Sequence, residues 1–247
     1  MKREQLFLWV AIILAGVLFG GARMVCADAV TPPENISTEV VKLSDDLYRI
    51  GNVKINKAQR FISIPGFINM REGLIEYLAC SKKGKLHESV LALDVEPYHI
   101  HVALLLLGLV PGDRPISFQG APEPPCGDPL IIKISWKGAE SKMVEYSPED
   151  LIINIDDKKT MEKSDWVFTG SKIFDGKYMA QMEGSIVAVF HDPHAIIDDR
   201  SISGTDDTHF FINKEVMPPL GMPVEFKIFM ENDPAVKKRV GCETAGR

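Results

Sequence analysis

Residues 77–94 read YLACSKKGKLHESVLALD. Two apolar runs flank Lys82-Lys83-Gly84, and a glycine able to take the left-handed conformation suits a three-residue hairpin loop with a G1-type bulge. In that register Ser81 pairs with Lys85, Cys80 faces Leu86, Ala79 faces His87 and Leu78 faces Glu88. Alternation along the second strand places His87, Ser89 and Leu91 on one face and Leu86, Glu88 and Val90 on the other. His87 and Glu88 then share no pocket. Cys80 becomes the cross-strand partner of His87 only if the loop shrinks to two residues, which shifts the register by one.

The residue types support competing readings. In a catalytic one, Cys80 is a nucleophile with His87 as base, or His87 acts with Ser89 and a distant acid. In a structural one, His87 and Glu88 are half-buried strand residues satisfied by backbone or by Lys85, and Cys80 is a small core hydrophobe. That reading predicts a stability cost for alanine at His87 or Glu88. A third uses Lys85 and His87 to contact an anionic ligand.

Working outward, Pro97 in EPYHIHVALLLLGLVPG suits a first helical turn, Gly108 a C-terminal stop, and Pro111 cannot continue the helix. The segment between is apolar nearly all round, which predicts a buried helix at about 97–108. His99 and His101, two residues apart on a helix, cannot chelate one ion together and read as separately satisfied. Elsewhere the chain alternates short β-rich runs with Gly, Pro and Asn: VKINKAQRFISIPGFIN, LIEYLAC, LIIKISW, WVFTGSKIF, KYMAQMEGSIVAVFHDP, HFFINKEV and PVEFKIFM. Asp175-Gly176 reads as a hairpin turn. The fold class expected is therefore α+β: mostly antiparallel strands, as a sheet or sandwich, with one buried apolar helix.

At the N-terminus, Lys2 and Arg3 precede an apolar run from Leu6 to about Gly20, with Val25 and Ala27 placed for cleavage. This is the layout of a secretory signal, and the run is shorter than the roughly 20 residues of a membrane span. The expected organisation is a signal peptide at 1–27, an exposed lead-in at 28–45, a single domain at 46–232 and a polar tail at 233–247. A periplasmic or secreted location follows, with membrane anchoring by an uncleaved segment as the alternative.

The chain carries 28 basic and 34 acidic residues, a formal charge of −6. Loss of residues 1–27 removes Lys2, Arg3, Arg23 and Glu4 and takes the charge to −8. Such a surface argues against nucleic acid and anionic lipid as partners. Cys80, Cys126 and Cys242 are widely spaced and form no metal-binding pattern, although an oxidising compartment permits a Cys80–Cys126 bridge. HDPHAIIDD (191–199) groups His191, Asp192, His194, Asp198 and Asp199, and with His209 it offers a metal-binding alternative. WVFTGS lacks G-x-S-x-G, and neither a phosphate loop nor G-x-G-x-x-G occurs. No cofactor is expected.

The runs IEYLACSKKGKLHESVLALDVEPYHIHVALLLLGLVPG, WVFTGSK, GSIVAVFHDPHAIID and MPPLGMPVEFKI together resemble the YdjY domain family of exported bacterial proteins, from roughly Asn52 to Ile228. The resemblance implies one exported domain in which Gly84, Lys85, His87 and Glu88 form the most specific motif. It implies no established activity. The function expected is a non-catalytic binding or envelope-associated accessory domain, its partner an unidentified ligand or envelope protein. The alternatives are a hydrolase or transferase using His87 with Cys80 or Ser89, and a metal-binding protein.

Overall fold

The structure is a computed structural model that describes residues 36–232. The expected signal peptide, the start of the lead-in and the polar tail lie outside the described residues. The strands are β1 (Val40–Lys42), β2 (Leu47–Ile50), β3 (Val53–Asn56), β4 (Phe61–Ile68), β5 (Tyr77–Ser81), β6 (Ser89–Leu93), β7 (Asp128–Lys137), β8 (Met143–Tyr146), β9 (Ile152–Asn154), β10 (Lys159–Thr160), β11 (Trp166–Phe168), β12 (Ile173–Phe174), β13 (Lys177–Tyr178), β14 (Ser185–Ala188), β15 (Ile197–Asp199), β16 (Phe210–Ile212) and β17 (Pro223–Met230). Two short α-helices, α1 (Pro97–Leu106) and α2 (Met179–Glu183), and four 3-10 turns complete the regular structure of the described residues.

Eight of the strands close on themselves in the order β4-β17-β7-β11-β15-β14-β5-β6, because β6 also pairs with β4. Six of these contacts are antiparallel, whereas β5–β6 and β14–β15 are parallel. The molecule is thus a closed mixed β-barrel, and the expectation of an α+β sheet or sandwich around a buried helix is overturned.

Closure depends on β4, which serves two neighbours along one edge. Its first half pairs with β3 up to Ser63, and its second half pairs with β6 from Gly66 onward. Pro65, which has no N–H to donate, stands at the handover between them. A Cβ on Gly66 would lie 2.8 Å from the Ala92 carbonyl, so only glycine permits the approach of β6. The β1-β2-β3 meander branches outward from that edge, and β8 extends β7.

The barrel interior is built by period-2 alternation in β17 and β7. Val224, Phe226, Ile228 and Met230 point inward with Leu130, Ile132, Ile134 and Trp136, while Glu225, Lys227 and Lys133 face out. In contrast β5, β6 and β14 are buried at every position. Their outer faces are covered by the two connections that make their pairs parallel.

Helix α1 forms where the sequence places it but ends at Leu106, and it is a lid that buries one face, with Ile100, Ala103 and Leu104 in the core, and leaves the other to solvent. It lies across the rim where β6 and β11 end: His101 packs edge-on against Phe168 at 5.2 Å, and the Tyr98 N–H is held by Gln181 of α2. Leu105 and Leu106 are exposed to solvent. The run is apolar on both sides, and apolarity alone does not say that both sides are covered. His99 bonds the Ser37 carbonyl and His101 meets the Tyr178 hydroxyl, two separately satisfied rings.

Candidate functional site: two crossovers face to face

The expected hairpin does not form. β5 and β6 run parallel, with Tyr77 opposite Ser89, Ala79 opposite Leu91 and Cys80 opposite Ala92. Residues 82–88 carry the chain back along the barrel wall, with a single 3-10 turn at Leu86–Glu88. A second crossover, 189–196, does the same between β14 and β15. Parallel connections usually need a dozen or more residues, so these two must be held tightly. GKLHES lies on the first crossover and HDPHA on the second, and because β5 pairs with β14 the two lie side by side.

Glycines set the contact between the first crossover and the turn that leads from α2 into β14. Gly184 takes φ +75°, and a Cβ there would come within 2.5 Å of the Gly84 Cα; the Ser81 N–H donates to the Gly184 carbonyl at 2.8 Å. The first crossover is also fastened from within. The Ser89 hydroxyl donates to the Lys85 carbonyl at 2.9 Å, and the Asn69 amide donates to the carbonyls of Leu86 and Ser89 at 2.6 and 2.7 Å.

Across the seam runs a chain of polar side chains. His194 Nδ1 lies 2.7 Å from Glu183 Oε1, whose other oxygen is 3.6 Å from Lys85 Nζ. Lys85 donates to the Tyr77 hydroxyl at 2.6 Å, and Tyr77 donates to Asp192 Oδ2 at 2.7 Å. The Asp192 backbone N–H in turn donates to Asp198 Oδ2 at 2.9 Å. Burial and the neighbouring Asp192 carboxylate push the Tyr77 hydroxyl well above its ordinary range. It therefore stays protonated and acts as a donor, not as a phenolate base.

The residues singled out in the sequence are distributed unevenly. Lys85 and Ser89 join the seam. His87 is 79% exposed and 3.5 Å from Glu88, so it is neither half-buried nor across from Cys80. Cys80 is buried and free, and burial pushes its thiol up to about 11. Cys126 is in a disulfide, so no Cys80–Cys126 bridge exists. Of the metal candidates, Asp192 and His194 are engaged in the seam, and His209 lies elsewhere with Asp156 and Asn154. His191 comes instead against Asp198 and Asp199, with ligand atoms all within 4.8 Å of one another.

Tyr77 and Glu183 were not found by sequence reasoning. Tyr77 opens the quoted stretch as a lone hydroxyl-bearing aromatic in an apolar strand, a detectable signal. Glu183 carried none, because only the packing of α2 brings it to Lys85. Two surface concavities among the described residues, of about 520 and 230 Å³, are lined by none of Cys80, Lys85, His87, Glu88 or Ser89, although Lys82 and Lys83 of the first crossover line the smaller.

No curated protein and no solved structure matches this chain. The YdjY domain model matches residues 53–229, a span that opens with β3, closes one residue short of the end of β17 and contains both crossovers. The chain belongs to the YdjY domain family.

Proposed function

We propose that this protein is an exported, envelope-associated accessory domain that works by binding and carries no chemistry at its GKLHES motif. The observation that supports this reading is the seam itself. Lys85 fastens the first crossover to Tyr77 of the barrel wall, Tyr77 in turn bonds Asp192 of the second crossover, Ser89 closes the first crossover on Lys85, and residues 84–89 line neither of the two concavities. The hydrolase or transferase reading needs the Cys80 thiolate or the Ser89 hydroxyl beside His87 as base, whereas the Cys80 thiol is buried and raised to about 11, the Ser89 hydroxyl donates to the Lys85 carbonyl and His87 points to solvent. Export is supported by the Lys2-Arg3 and apolar run at the N-terminus.

Two experiments test the proposal. A thiol-reactive probe applied to reduced, folded protein at neutral pH should label Cys80 at least about two orders of magnitude more slowly than an exposed cysteine. Rapid labelling that slows in His87→Ala would overturn the non-catalytic reading. For export, fractionation of cells producing the full chain should recover protein beginning at Asp28 outside the cytoplasm. Recovery of the uncleaved chain in the cytoplasm would overturn the location.

A further inference from the structure

His191, Asp198 and Asp199 are 1%, 0% and 0% exposed. His191 Nδ1 lies 3.1 Å from the Ala121 carbonyl, which can only accept, so that nitrogen carries the proton. Nε2 is left as a lone pair with no hydrogen-bond partner, 3.9 Å from Asp199 Oδ1. Burial lowers the tendency of this imidazole to take a second proton. Each carboxylate is likewise anchored on its outer side. Asp199 accepts the Ser201 N–H at 2.8 Å and the Ser201 hydroxyl at 3.2 Å, and Asp198 Oδ2 accepts the Asp192 N–H, leaving Asp198 Oδ1 without a partner. Gly204 lies flat against the ring, where a Cβ would come within 2.5 Å of Nε2.

His191 Nε2 and Asp198 Oδ1 receive no donor from the residues around them, and burying such acceptors together with the Asp199 carboxylate is costly unless a carboxyl keeps its proton, the direction in which burial and Asp199 push Asp198, or a cation binds. A cation removes the cost. The ligand atoms span at most 4.8 Å, a distance one ion can bridge with bonds of about 2.0–2.4 Å. A histidine that gives its other N–H to a backbone carbonyl, beside carboxylates held from behind, is the outer support that metal ligands require. We infer that His191, Asp198 and Asp199 form a structural site for one divalent first-row transition ion, zinc being the best fit to one imidazole and two carboxylates. The ion pins the second crossover to the end of β15 and is taken up as the barrel folds, since no ligand reaches solvent.

The test uses tag-free full-length protein, unfolded and refolded with excess Zn²⁺ and, separately, Mn²⁺, then desalted and analysed for metal. Wild type should retain about one equivalent of zinc, and refolding with chelator should lower Tm by about 5–10 °C. Asp198→Asn and His191→Gln should retain less than about a tenth of an equivalent. Wild-type protein that refolds fully, holds no metal and has the same Tm with chelator overturns the site. So does an Asp198→Asn variant that is more stable than wild type without metal, the behaviour of a carboxyl that is merely protonated. Zinc retained equally by both variants overturns these ligands. None of these outcomes bears on the thiol-labelling result at Cys80.

Discussion

The two halves of the barrel obey different rules. In β17 and β7 one face meets the interior and the other meets water, so apolar and polar residues alternate, and these strands pair antiparallel with each other and with β4. In β15, β14, β5 and β6 both faces are buried, two pairs are parallel, and the outer cover is a pair of seven- and eight-residue crossovers, 82–88 and 189–196. The first half is held by side chains filling a core. The second adds a layer of hydrogen bonds outside the barrel, from Glu183 through Lys85 and Tyr77 to Asp192. A short crossover with no α-helix of its own can be stable only if something outside the sheet fastens it, and Lys85 of GKLHES lies in that layer.

This contrast can be broken or sharpened by measurement. The largest effect should come from the first half: Phe226→Ala removes a fully buried ring and should cost about 3–5 kcal/mol in denaturant unfolding. A cost below that of Tyr77→Phe would mean that the outer layer, not the core, dominates.

Next comes a pH effect at the lid. Burial lowers His101 from 6.5 to about 4, so between those values the unfolded chain binds a proton that the folded one refuses. The stability contributed by this neutral ring is full above pH 6.5 and falls by about 3 kcal/mol as pH drops toward 4. The drop should shrink in His101→Phe, and an unchanged pH profile in that variant would remove His101 as the cause.

Within the second half, Tyr77→Phe leaves Asp192 Oδ2 and Lys85 without their hydroxyl and should cost about 1–3 kcal/mol. Lys85→Met should lower Tm by about 2–4 °C, equivalent to roughly 1 kcal/mol. The smallest change belongs to the most conspicuous motif residue: His87→Ala should shift stability by less than about 0.5 kcal/mol, given its exposure. A destabilisation by His87→Ala as large as that by Tyr77→Phe would restore the half-buried role that the sequence suggested.

Legibility in the sequence followed the same division. Strands with one wet face announced themselves: PVEFKIFM and LIIKISW alternate and were recognisable as β17 and β7. Asp175-Gly176 was readable as the turn of the β12–β13 hairpin because its local chemistry suffices. KKGKLHES was misleading for an opposite reason. Its glycine suits a hairpin loop, and nothing local shows that Gly184, a hundred residues away, occupies the space beside Gly84. The metal candidates were partly legible. HDPHAIIDD contained all three residues that converge, but choosing Asp198 and Asp199 over Asp192, His194 and His209 required knowing which atoms other bonds already use.

The sequence by itself determined the β-rich composition, the position of the one longer helix, the family and the two motif segments, because each depends on residue types within a short window. Tertiary structure alone decided that the strands close into a barrel, that two neighbouring pairs run parallel, and that α1 is a lid. Those outcomes depend on contacts between residues far apart in the chain: β6 against β4, Gly84 against Gly184, Lys85 against Glu183. Periodicity records which face of a strand is dry, but it does not record what keeps it dry.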